Sequence, residues 1–95
     1  MAFENREPYD CIPSIEPDVI GKMVDNEAVL VHAQRGEVKV LNEVGARIWS
    51  LIDGQRNVAM IAQIISHEYR VEENQAKADT LSFVEKLVNQ GILKI

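Results

Sequence analysis

Leu41-Asn42-Glu43-Val44-Gly45-Ala46-Arg47-Ile48-Trp49 is the stretch that decides the fold. An apolar run ends at Leu41 and a helical period begins directly after it. Asn42 can accept from the free amides of a first turn, and Glu43 sits where a helix N-terminus favours negative charge. Val44, Ile48, Leu51 and Ile52, with Trp49 beside Ile48, recur at helical spacing and give one apolar stripe. Gly54 is the expected residue just past the helix end, because glycine takes positive φ without strain. Residues 41–49 include no nucleophile, metal cage or phosphate cradle. They divide the chain: strands before, helices after.

Upstream the signal is β. Val19-Ile20 and Met23-Val24 flank Gly21 and Lys22, and Asp25-Asn26-Glu27 reads as a turn. Ala28-Val29-Leu30-Val31-His32 is rich in β-branched residues. Gln34-Arg35-Gly36 is a second turn, and Glu37-Val38-Lys39-Val40 alternates polar with apolar as a half-buried strand does. Three short strands with tight turns predict an antiparallel meander. Downstream, Asn57 caps a second helix carrying Ile61, Ile64, Ile65 and Tyr69. A third helix starts near Glu72-Glu73, reaches Gln90 and stops at Gly91, and residues 92–95 form a closing strand or tail. The expectation is an α+β domain of winged helix-turn-helix type, a three-stranded antiparallel meander followed by three helices.

Residues 1–18 differ from the remainder. Pro8, Pro13 and Pro17 disfavour a helix there. Glu4, Glu7, Asp10, Glu16 and Asp18 face Arg6 alone, so most of the formal net charge of −5 lies in this arm. We expect an extended acidic proline-containing arm over residues 1–18, pinned to the body or to a second copy by Tyr9, Ile12 and Ile15, and a domain over residues 19–95. Cys11 is the single cysteine and has no internal disulfide partner. Residues 1–18 have no apolar signal-peptide core, and no run approaches the roughly 20 apolar residues of a membrane span. A cytoplasmic protein with no membrane association is the expectation.

The sequence offers no catalytic constellation. His32 and His67 are not at ligand spacing, and the serines lie in no nucleophile elbow. No Gly-rich loop precedes a helix. No enzyme activity, metal or cofactor is expected. A helix-turn-helix order raises DNA binding, but residues 72–90 set Lys77 and Lys86 against Glu72, Glu73, Asp79 and Glu85. Such a helix repels phosphates, so no nucleic-acid partner is expected and a winged-helix transcriptional regulator is the alternative reading. Recognition by backbone remains. The third strand of the meander can be a free sheet edge, and the third helix has two apolar rows. Ala76, Thr80, Phe83 and Leu87 form one, and Leu81, Val84 and Val88 the other. One row packing the core and the other bordering a groove would suit β-augmentation by an extended peptide.

Leu41-Asn42-Glu43, Gly45, Ile48-Trp49, Asp53-Gly54, Ile61, Tyr69, Asp79, Phe83, Leu87 and Gly91 match, in order and spacing, a known pattern. From about Val29 onward the chain resembles the PqqD family of small peptide chaperones, also called recognition elements of ribosomally made, post-translationally modified peptides. Two features depart from that pattern. Asn57-Val58-Ala59-Met60 stands where the family often has Thr and acids, and the arm has no counterpart. The resemblance implies a non-catalytic chaperone that binds the leader of a precursor peptide and presents it to a modifying enzyme, commonly a radical S-adenosylmethionine enzyme. It implies that the leader adds antiparallel to the third strand and lies against the third helix. Carried over, Glu37, Val38, Lys39 and Val40 give the backbone ladder, and Lys77, Thr80, Leu81 and Val84 line the helix side. Leu41, Asn42 and Trp49 then hold geometry. A protein-interaction subunit without leader binding is a further alternative, and homodimerisation through the arm or the sheet edge a further expectation.

Overall fold

A computed structural model describes residues 8–95. Glu4, Arg6 and Glu7 of the acidic arm lie outside the described residues. After a 3-10 turn at Pro8–Asp10 come β1 (Ser14–Ile15), β2 (Val19–Val24), β3 (Glu27–His32), β4 (Glu37–Leu41), α1 (Glu43–Leu51), α2 (Val58–Tyr69), α3 (Glu73–Asn89) and β5 (Leu93–Lys94). β2, β3 and β4 form the expected antiparallel meander, with β3 central, and three helices follow it. The fold is α+β.

Alternation along β3 sets the orientation of this sheet. Ala28, Leu30 and His32 are buried on the helical side, while Val29 and Val31 face outward. The register carries that alternation to both neighbours: Gly21 and Lys39 lie opposite Leu30, and Ile20 and Val38 lie opposite Val31. Ile20, Val31, Val38 and Val40 therefore share an exposed outer face. Glu27 pairs with Val24, so the first hairpin turns on Asp25-Asn26 alone, and Asp25 adopts φ +57°, a conformation that Asp tolerates better than most residues.

The core lies between the inner sheet face and the helices. It gathers Leu30, Leu41, Ile48, Trp49, Ile61, Val84 and Leu87. Gly21 makes room for its one large ring: a Cβ there would stand 2.7 Å from Trp49 Nε1. Caps at Asn42 and Asn57 form as the sequence indicates. Asn42 Oδ1 accepts from the Gly45 amide at 3.0 Å, and Asn57 Oδ1 from the Met60 amide at 2.8 Å. Glu72 caps α3 by accepting from the Asn74 and Gln75 amides. Gly54 departs from expectation. α1 ends earlier, at the buried Ile52, and Asp53 Oδ1 accepts from the Gln55 and Arg56 amides, which builds a separate turn containing Gly54 at φ +77°. Those amide bonds hold the Asp53 carboxyl below its ordinary range.

Within the described residues, the second half of the arm packs on the body. β1 pairs antiparallel with β5, Pro13 is buried, and the Val58 amide donates to the Cys11 carbonyl at 2.9 Å. Tyr9 and Ile15 pack against the core, whereas Ile12 is exposed. Arg47 joins α1 to α2, donating through Nε and Nη2 to the two Glu68 carboxylate oxygens at 2.8 and 2.7 Å. No helix among the described residues is long and apolar enough to cross a membrane.

Candidate functional site

β4 has one paired edge and one free edge. In the two-residue hairpin Val24 and Glu27 are the closing hydrogen-bonded pair, and antiparallel pairing alternates from there. Val29 and Val31 then bond toward β2, and Ala28, Leu30 and His32 bond toward β4. The Ala33 amide donating to Asp18 O and the Gly36 amide donating to His32 O continue both series. Their partners Leu41, Lys39 and Glu37 are thus satisfied by β3. Val38 and Val40 turn their N–H and C=O groups to the free edge. Buried orphan groups are costly, so such an edge is either solvated or paired.

α3 stands beside that edge and runs antiparallel to β4. Two cavities lie along β4, one against α3 and one against the segment just past its C-terminus. One, of about 330 Å³, is lined by Leu41, Val44, Ile48, Phe83 and Leu87, with Lys39, Asp79 and Lys86 at its rim. The other, of about 300 Å³, lies at the opposite end against Leu30, His32, Glu37, Gln90 and Ile92. Lys39 lines both, so the two adjoin at its side chain and together form the groove along β4. β4 is about 13 Å long at ~3.3 Å per residue, and the lining part of α3, Asp79 to Leu87, covers about 12 Å at 1.5 Å per residue.

Both ends of the groove are fixed. Gly45 lets the Phe83 ring approach, since a Cβ there would stand 3.1 Å from Phe83 Cε1. At the other end Arg35, in the β3–β4 turn, donates to Gln90 O at 2.9 Å and lies over Gly91, where a Cβ would meet the guanidinium at 2.8 Å. Asp79 accepts from Gln75 Nε2 at 2.9 Å. His32 is 9% exposed and its Nδ1 has no hydrogen-bond partner among the described residues. No group of three or more His, Cys, Asp or Glu side chains among the described residues could hold a metal ion.

Glu37, Val38, Lys39 and Val40 lie on this edge, but the ladder positions are Val38 and Val40. Val38 is 64% and Val40 60% exposed. On α3 the structure differs from expectation. Thr80 and Val84 are buried with Ala76 and Leu87 in the stripe facing the core, and the Thr80 hydroxyl has no partner among the described residues. Lys77 lies on the far flank, its Nζ 5.6 Å from the Tyr9 ring centroid, and Leu81, one turn on, is half-buried against the core. Neither lines the groove. The groove flank is Asp79, Phe83 and Lys86. Helical period finds the core stripe but does not say which flank faces β4, because that depends on how α3 crosses the sheet. The available signal was that Asp79 and Phe83, not Lys77 and Leu81, belong to the quoted family pattern.

The model of coenzyme PQQ synthesis protein D (PqqD) matches residues 27–93. The chain belongs to the PqqD family. No curated protein matches it. Among solved structures it is similar to TbiB1 in complex with the TbiA(beta) leader peptide, at 33% identity and TM-score 0.80, covering 85% of this chain and 94% of that one. It is similar to a lasso peptide synthetase B1 complexed with its leader peptide, at 26% identity and TM-score 0.81, covering 90% and 100%. It shares its fold with the PqqD part of Methylobacterium extorquens PqqCD, at 24% identity and TM-score 0.73, covering 87% and 88%. In this PqqD-family chain the family-pattern residues Gly45, Phe83, Leu87 and Gly91 all line or border the groove.

Proposed function

We propose that this protein is a peptide chaperone that binds the leader of a ribosomally made precursor peptide in the groove between β4 and α3. The observation that carries the proposal is the free β4 edge beside a wall from α1 and α3 that is apolar at Ile48, Phe83 and Leu87. That pair supplies the backbone ladder and side-chain pockets of β-augmentation. Two similar structures, TbiB1 and a lasso peptide synthetase B1, hold leader peptides. β2 offers a second free edge with a smaller cavity of about 220 Å³ between Met23 and α1, whereas cavities of about 300 and 330 Å³ run along β4, the larger with the apolar Ile48, Phe83 and Leu87 in its wall, which supports β4 as the receiving strand.

The leader would run antiparallel to β4, exchanging hydrogen bonds with the backbones of Val38 and Val40. Phe83, Ile48 and Leu41 would take its apolar side chains, and Lys39, Asp79 and Lys86 would meet its polar ones. The protein would act without catalysis, presenting the core of the precursor to a modifying enzyme such as a radical S-adenosylmethionine enzyme. The test first asks whether the genes beside this one encode a short precursor peptide and a modifying enzyme, and then uses that pair. Labelled leader should bind the full chain, the core segment alone should not, and modification of the whole precursor should accelerate when the chain is added. Binding through the core segment, or modification indifferent to the chain, refutes the reading.

A homodimer paired through the same edge is a second reading, favoured by the exposed Val38 and Val40 on it. Leader would compete with such pairing. A sedimentation measurement that finds a monomer at high protein concentration removes it.

A further inference from the structure

We infer that the peptide this groove accepts carries an apolar side chain followed, two residues later, by Asp or Glu, with the acid held between Lys39 and Lys86. The inference rests on strand addition at β4 and specifies what is added.

Register comes first. Val38 and Val40 bond outward, so peptide residues paired with them by hydrogen bonds point to the outer face of the sheet. Peptide residues opposite Leu41, Lys39 and Glu37 are the non-hydrogen-bonded ones, and their side chains point into the groove. In such pairs the two side chains are closest. The residue opposite Lys39 therefore lies directly beside the Lys39 stem, in the cavity that Lys86 of α3 also lines.

Charge comes second. Lys39 lies on the inner face of β4 opposite the buried Leu30, and it is half-buried. It holds its ammonium group at the groove by running its stem along apolar surface. Among the described residues neither Lys39 nor Lys86 has a carboxylate within salt-bridge distance, although Arg35, Arg47 and Arg56 each have one. The one carboxylate at this cavity, on Asp79, lies two turns of α3 away from Lys86 and is engaged by Gln75. Glu37, at the other end of the groove, faces Arg35 at 3.9 Å, so with Asp79 held by Gln75 the two lysines are the charges left to meet a peptide acid.

Direction comes third. The added strand runs antiparallel to β4, so its earlier residues lie at the Leu41 end. There the wall is Val44, Ile48, Phe83 and Leu87, which takes an aliphatic or aromatic side chain. The order from N- to C-terminus is apolar, any residue, acid.

The test pans a display library of short random peptides against the full chain. Enriched peptides should carry an apolar residue two positions before Asp or Glu. Replacing that acid by its amide in a synthetic, fluorescein-labelled winner should weaken binding about five- to tenfold, as for a partly screened charge pair. Lys39→Met keeps the stem and removes the charge, and Lys86→Glu changes an exposed position, so neither disturbs the core. Each should erase most of the preference, and the double variant should prefer Lys or Arg at the same peptide position. Winners that perturb the Val38 and Val40 amides without any acid preference overturn this inference and leave strand addition standing. A panning that yields no peptide acting on β4 overturns strand addition, and this inference with it.

Discussion

Proline scanning along β4 separates the free edge from the paired one. Val38→Pro and Val40→Pro each remove an N–H that points away from β3, whereas Lys39→Pro removes one that β3 uses. Proline is tolerated on edge strands for this reason. The two valine variants should keep the fold, with small losses in Tm. Each loses one ladder bond to the leader, worth about 1 kcal/mol net, or roughly fivefold in affinity. The proline ring also occupies the place of the incoming carbonyl, so the double variant should bind at least about thirtyfold more weakly, on the order of two such bonds combined. Lys39→Pro should instead destabilise the β3–β4 hairpin itself. Anisotropy titration with labelled leader reads the affinity, and circular dichroism melting reads the fold. Wild-type affinity in Val38→Pro and Val40→Pro would refute the assignment of the outward groups. A Lys39→Pro variant that melts like the wild type would refute the register beneath it.

Other expectations concern the scaffold. Gly21→Ala places a methyl group against Trp49 Nε1 and should destabilise by about 1–3 kcal/mol, the range for overpacking, read as a lower Tm. Thr80→Val removes a buried hydroxyl that lacks a partner among the described residues, and should stabilise by about 1 kcal/mol; a lower Tm would show that the hydroxyl is satisfied. The Arg47 hydrogen bonds hold the Glu68 carboxyl below its ordinary value near 4.5. A lowered folded-state pKa contributes stability above the unfolded value, and that contribution is lost as pH falls through the folded one. Glu68→Gln should therefore flatten the acid limb of a stability-against-pH curve below pH 4.5, and an unchanged limb would remove the pair from the account.

Much of this architecture was legible because local chemistry and tertiary structure agree. Asn42, Asn57 and Glu72 cap where their side chains can reach free amides, and the alternation of Glu37-Val38-Lys39-Val40 places β4 on a sheet. What was not legible depends on contacts distant in sequence. β1 and β5 are each two residues long and exist only because they meet. Gly54 looks like a helix cap, yet Asp53 captures the next two amides first. The groove flank of α3 could not be read because Lys77, Leu81 and Val88 mirror Phe83 and Lys86 across the buried stripe. Only the crossing of α3 over the sheet distinguishes them.

Strand addition at β4 is tested most directly by amide hydrogen exchange, with and without leader. The outward amides of Val38 and Val40 should exchange freely in the unliganded protein and become protected on binding, while Lys39, already bonded to β3, changes little. Protection that appears instead along β2, or none at Val38 and Val40 with leader bound, would contradict the account.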